Sequence, residues 1–190
     1  MKRLKTIEIR VWQHLLIIMA LALPLCSCRQ LAVQNVSPVT KLSDKQVAIL
    51  NGLRDEVNLT YGYVDGWPRI DRGPCGRFAK LFREKWNVRF THKINIVFIM
   101  KTTDGGGCDH VLVKLPDGSY YDGGNGVISG ATLLREFRKG DRIEEMVNFD
   151  LSLLDKRSYG LGRSYELCPN YSDEITANII EKHLALLPKN

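Results

Sequence analysis

Cys75, His110 and Asp122 are the residues whose types and spacing speak most directly of chemistry. Cys75 stands in Gly73-Pro74-Cys75-Gly76-Arg77-Phe78, where a run with helical spacing begins. His110 heads an alternating apolar segment, and Asp122 ends the return of a hairpin signalled by Pro116-Asp117-Gly118. A thiol attacks only as thiolate, and a free cysteine has a pKa of ~8.5. At a helix start the thiol meets unpaired N–H groups and the positive end of the helix dipole. An imidazole can take its proton and hand it to a leaving amine, while a carboxylate orients the ring. Pro74 fixes the backbone before the thiol, and Gly76 lets a substrate carbonyl come close to the backbone after it. The Cys75 N–H is placed to donate to a developing oxyanion, and Arg77 would add positive charge if it faces the sulfur.

Hairpin register supports the pairing of the last two residues. Counting outward from Asp117 puts Asp122 opposite Leu112, and His110 lies two residues further along the same face. That diagonal is ~7–8 Å between α-carbons, within reach of an aspartate and a histidine ring. Asp109 is the rival partner, but adjacent strand residues point to opposite faces.

Three segments, Gly73-Pro74-Cys75-Gly76-Arg77-Phe78-Ala79, His110-Val111-Leu112-Val113 and Tyr120-Tyr121-Asp122, together resemble the core of transglutaminase-like and related papain-like cysteine enzymes. The resemblance spans residues 73–125, and Gly76 stands where the transglutaminase-like pattern often has an aromatic residue. It implies an α+β fold in which the helix bearing the Cys packs on an antiparallel sheet bearing the His and Asp. It also implies acyl-enzyme chemistry on amide bonds, with Cys75 as nucleophile, His110 as base and Asp122 as the orienting acid. No G-x-S-x-G, P-loop or H-E-x-x-H pattern occurs. Cys75, Cys108 and His110 do not match a zinc-ligand spacing. The expected chemistry needs no metal or organic cofactor.

Several elements must hold these groups. Ser43 caps a helix with Val47, Leu50, Leu53 and Val57 on one face, ending near Asn58. Residues 59–74 read as an irregular loop whose Tyr61, Tyr63 and Trp67 are expected to pack, although a place along a substrate groove stays open. Phe78, Ala79, Leu81, Phe82 and Trp86 make the buried stripe of a helix from Gly76 to Trp86. Residues 93–100 read as a buried strand, 104–107 as a turn, His110–Leu115 and Ser119–Asp122 as a hairpin. Ser129 starts a short helix through Leu133, Leu134 and Phe137, stopped at Gly140. Met146, Val147 and Phe149 fit strand or loop, and 155–170 a long loop. Ser172 caps a last helix with Ile175, Ile179, Ile180 and Leu184 on its apolar face.

The N-terminal region reads as targeting. Lys2, Arg3, Lys5 and Arg10 precede the apolar run Leu15–Leu25, which is shorter than the ~20 residues that span a bilayer. Leu25-Cys26-Ser27-Cys28 resembles a bacterial lipobox, implying cleavage before Cys28 and lipidation of its thiol. Cys26 is the poorer candidate because bulky Leu25 precedes it, and an ordinary secretory signal is the alternative. The expected organisation is a signal peptide over 1–27, a tether over 28–42 and one papain-like domain over 43–190. Loss of 1–27 removes four basic residues and one acidic one from the 27 and 21 of the whole chain, leaving 23 and 20. A net charge of +3 with no basic block gives no case for nucleic acid.

Lipidation of Cys28 leaves Cys75, Cys108 and Cys168 in an oxidising compartment. Three thiols cannot all pair within one chain. A free Cys75 with a Cys108–Cys168 bridge is the preferred split; a Cys75–Cys108 bridge would remove the nucleophile. The glycosylation-like Asn58-Leu59-Thr60 and Asn170-Tyr171-Ser172 are set aside because the lipobox points to a bacterium. The expectation is a lipid-anchored thiol hydrolase at the cell envelope, facing the periplasm or exterior, with a peptide or protein amide as substrate. Cell-wall peptides follow from that address alone. Two rivals stand beside it: an envelope lipoprotein using the fold as a binding or assembly module, and a transglutaminase-type acyltransferase.

Overall fold

Five antiparallel strands, in the spatial order sixth, fifth, fourth, third, seventh along the chain, define the sheet on which the site is built. The strands are β3 (Asn95–Met100), β4 (Cys108–Lys114), β5 (Tyr120–Asp122), β6 (Gly126–Ile128) and β7 (Arg142–Met146). The helices are α1 (Asp44–Tyr61), α2 (Cys75–Arg89), α3 (Gly130–Glu136) and α4 (Asp173–Leu184). A two-stranded ribbon of β1 (Tyr63–Val64) and β2 (Trp67–Pro68) and a 3-10 turn (Arg69–Asp71) join α1 to α2. This computed structural model describes residues 41–100, 108–136, 142–146 and 168–189, all within one compact unit. The architecture is α+β, with helices on an antiparallel sheet. Among the described residues no helix is long and apolar enough to cross a membrane.

Strand β3 explains how one sheet serves two cores. Ile96, Phe98 and Met100 join the large core with Val111, Val113 and Tyr121, while Val97 and Ile99 join Leu112, Ile128 and Leu133 in a smaller one. That split is the two-residue alternation of a strand buried on both faces. The large core takes Leu50, Leu53 and Val57 from α1, Phe78, Phe82 and Trp86 from α2, and Ile179, Ile180 and Leu184 from α4. Phe82 anchors α2 on the sheet, its ring centroid 4.7 Å from that of Tyr121. Such aromatic pairs contribute ~0.5–1.5 kcal/mol beyond the area they bury.

The first helix runs one turn beyond Asn58 and stops at Gly62, whose φ of 77° suits a residue without Cβ. Ser43 and Gln46 form a capping box at its start. The expected 59–74 loop contains the ribbon and the 3-10 turn. Its aromatics divide: Tyr61 is buried, whereas Tyr63 and Trp67 are each 56 % exposed, so packing accounts only for the first. In α4, Ile175 faces outward and Thr176 takes the buried place. Its hydroxyl bonds the Ser172 carbonyl and the Tyr61 hydroxyl, both at 2.7 Å, which satisfies the polar group inside the core. Leu42, expected in the tether, already rests on the core and donates its N–H to Asp117. Ser129 caps α3 by accepting from the Thr132 N–H. The signal segment, Cys28, residues 104–107, Phe137, Gly140, Val147, Phe149 and 155–167 lie outside the described residues.

Candidate active site

Cys75 is the first residue of α2. Pro74 has no side chain able to cap, no cap hydrogen bond is made, and no acidic residue occupies the first turn. Among the described residues no side chain caps the first N–H groups of the helix, and the dipole end bears on the sulfur. The thiol is partly exposed, with its sulfur 3.9 Å from the Gly73 carbonyl oxygen.

His110 and Asp122 come together on β4 and β5. The register pairs Val113 with Tyr121, which continues to put Asp122 level with Leu112, as the hairpin count required. His110 Nε2 lies 3.0 Å from Asp122 Oδ2, and the two residues are 7 % and 2 % exposed. Asp109 is the extra residue where β4 slips register against β3 and takes no part in this pair. The Asp122 carboxylate is further fixed by the turn after it, accepting from the Gly124 N–H at 2.9 Å, the Asn125 N–H at 2.5 Å and the Asn125 side chain at 3.1 Å. Nε2 faces Asp122, and the Cys75 side chain lies close enough to the ring to raise the His110 pKa.

The electrostatics follow from these contacts. Burial disfavours a charged His110, but hydrogen bonds with Asp122 and Cys75 outweigh it and lift the imidazole well above its usual range. Burial would raise Asp122, yet its bond to His110 and the charge of that ring keep it below the ordinary carboxylate value. The pair therefore favours imidazolium beside carboxylate.

The other cysteines contrast with Cys75. All three described cysteines are unbridged, so neither the expected Cys108–Cys168 bridge nor the Cys75–Cys108 alternative is formed. Cys108 directs its sulfur to the His110 carbonyl at 3.2 Å, and Cys168 is fully buried with its sulfur 3.7 Å from the Asn170 side chain. Burial pushes the Cys108 thiol up to about 12, and burial raises Cys168 as well. Both are held as unreactive thiols. Arg77 is engaged with Asp173 at the start of α4 and stacks over Tyr171, so its charge ties two helices together.

Two residues of the site were not picked out from the sequence. Asn125 donates to Asp122 and also to Asp71 Oδ2 at 3.1 Å, bridging the two carboxyl groups. Asp71, at the end of the 3-10 turn, offers an oxygen within 4.8 Å of donor atoms of both His110 and Asp122. With His110 Nε2 and Asp122 Oδ2 3.0 Å apart, the three residues form one cluster of titratable groups. Gly124 makes room for it. A Cβ there would lie 1.9 Å from Asp71 Oδ2 and 2.3 Å from its Cγ. Gly124→Ala should therefore displace Asp71 and cost ~1–3 kcal/mol of stability, the usual penalty of overpacking. Gly130→Ala, whose Cβ would meet only Tyr120 at 3.7 Å, is the control expected to stay near wild type in urea denaturation.

No protein-family model, curated protein sequence or solved structure matched this chain.

Proposed function

We propose that this chain is a lipid-anchored cysteine hydrolase of amide bonds with a papain-like, transglutaminase-like core and a Cys75-His110-Asp122 triad. The observation that carries the reading is the bond between His110 Nε2 and Asp122, with the Cys75 thiol at an uncapped helix start against the same ring. A reactive thiol, a base and an orienter within reach of one another are the parts that covalent acyl chemistry needs. An unbridged Cys75 also favours an enzyme over a binding module, which would tolerate that sulfur in a disulfide.

In this reading Cys75 gives its proton to His110 and its sulfur attacks the substrate carbonyl carbon. The carbonyl oxygen becomes an oxyanion that accepts from the first N–H groups of α2. The C–N bond then breaks, the imidazolium protonates the leaving amine, and a thioester remains on Cys75. Water, deprotonated by His110, attacks the thioester; the acid departs and the thiol is restored. Asp122 keeps the ring oriented throughout. The lipobox-like Leu25-Cys26-Ser27-Cys28 places the chain on the envelope through an acylated Cys28, where stem peptides or protein amides are at hand.

Incubation with short peptide amides, including cell-wall stem peptides, tests this. The expected result is release of the amine and, on rapid quenching, an acyl mass on the Cys75 peptide that Cys75→Ala lacks. Amide turnover that survives Cys75→Ala would overturn the assignment. Added primary amine separates the rival chemistry, because a transferase would place the acyl group on that amine. Mass spectrometry of the mature N-terminus checks the anchor: a lipidated Cys28 is expected, and a free one contradicts it.

A further inference from the structure

We propose that Asp71 is a positioning residue of this site, a neutral carboxyl packed against the His110–Asp122 pair that limits the negative charge beside the imidazole to one. The inference rests on the hydrolase reading for its catalytic meaning and on geometry for the rest. The Asp71 carboxyl reaches within 4.8 Å of both partners, so two carboxylates there would face each other across a short gap. Two like charges so placed do not both ionise readily. Asp122 is the one favoured as the anion, since it holds His110 and two backbone N–H groups. Among the described residues, Asp71 Oδ2 has only the Asn125 amide, and Oδ1 is buried without a partner. An ionised oxygen in that position would be costly, whereas a protonated one is tolerable.

The groups around Asp71 fit this assignment. From β4 it faces the His110 ring, from β5 the Asp122 carboxylate, and from the following turn Asn125. Arg69 and Arg72 flank it in sequence on its own turn, and Arg54 of α1 is engaged with the Asn125 carbonyl at 3.2 Å. Burial first, and the charge of Asp122 second, push the Asp71 carboxyl up to about 7. Below that pH the site carries a single carboxylate, and the imidazolium can part with its proton to a leaving amine. Above it a second negative charge appears, holds the imidazolium more firmly and makes it a weaker acid. Asp71 thus acts on substrate only through His110.

Carboxyl-carbon NMR of aspartate-labelled full-length protein tests this without any substrate. The Asp71 carbon should titrate with a midpoint near 7, assigned by its absence in Asp71→Asn, while the Asp122 carbon titrates below the ordinary carboxylate range. In Asp71→Asn the His110 ring should lose its proton at lower pH than in wild type. The variant should also gain stability relative to wild type as pH rises from 4 to 7, because folded wild type alone must hold a proton that its unfolded chain releases. A wild-type Asp71 midpoint near 4, or a His110 titration that does not move in Asp71→Asn, would overturn the proposal. If Asp71→Asn fails to fold, wild type still decides: a carboxyl carbon titrating near 7 supports the proposal, and none there overturns it. These readouts stand apart from amide cleavage, so an inert Cys75 would sink the hydrolase reading and leave the Asp71 result intact.

Discussion

Asp122→Ala should cost ~3–5 kcal/mol of stability at mildly acidic pH, the penalty for breaking a buried, hydrogen-bonded ion pair by removing one partner. The carboxylate accepts from Gly124, twice from Asn125, and pairs with His110, so its loss strands two backbone donors and a buried ring together. The dependence on pH follows from the two shifts. Asp122 is held below its ordinary value, so its contribution is present above ~3.9 and fades as pH falls through the lowered folded value. His110 is held above its ordinary value, so its contribution is complete below ~6.5 and is lost as pH rises through the raised folded value. Urea denaturation should therefore show the largest gap between wild type and variant from about pH 4 to 6.5, narrowing on either side. A gap independent of pH would mean that the pair is not charged in the folded state.

Asp122→Asn separates stability from chemistry. The amide can keep the shape and accept from the turn, but it presents N–H toward Nε2 and so favours the ring tautomer with the proton on Nδ1. That tautomer cannot take the proton from Cys75. A near-native fold with amide hydrolysis reduced by ~10⁴ is expected, the scale seen when an orienting carboxylate is neutralised in a triad. Equal losses of stability in the Asn and Ala variants would make Asp122 a purely structural residue.

Much of the site was legible because each of its parts obeys a local rule. A Pro-Cys-Gly step before the stripe of Phe78, Ala79, Phe82 and Trp86 marks a helix start, and α2 begins at Cys75. The turn chemistry of Pro116-Asp117-Gly118 set the register that brings Asp122 level with Leu112, two residues from His110. What stayed hidden depends on contacts between segments far apart in the chain. Asp71 lies in a stretch rich in Gly and Pro that reads as loop, and no spacing rule links a 3-10 turn to a hairpin end. The run Gly123-Gly124-Asn125-Gly126 held a clue, since successive residues without Cβ signal close approach; at Gly124 the visitor is Asp71. Thr176 and Ile175 exchanged places for a related reason. Helical spacing allows either to face inward, and the Tyr61 hydroxyl, supplied by another helix, selects the threonine. The Cys108–Cys168 bridge was inferred from parity of thiols and compartment, and neither consideration contains a distance.

His110→Ala should silence Cys75 and, like Asp122→Ala, cost stability by breaking the buried pair, although Asp122 keeps its bonds to Gly124 and Asn125. Loss of a positioned base typically lowers such rates by ~10²–10⁴. The most direct measurement is site-resolved labelling of the full chain at neutral pH with an amide-like thiol electrophile, read by peptide mass spectrometry. Labelling confined to Cys75, with Cys108 and Cys168 untouched and the signal lost in His110→Ala, is the predicted result. Labelling of Cys75 that persists undiminished without His110, or a Cys75 that reacts no faster than Cys108, would contradict the triad.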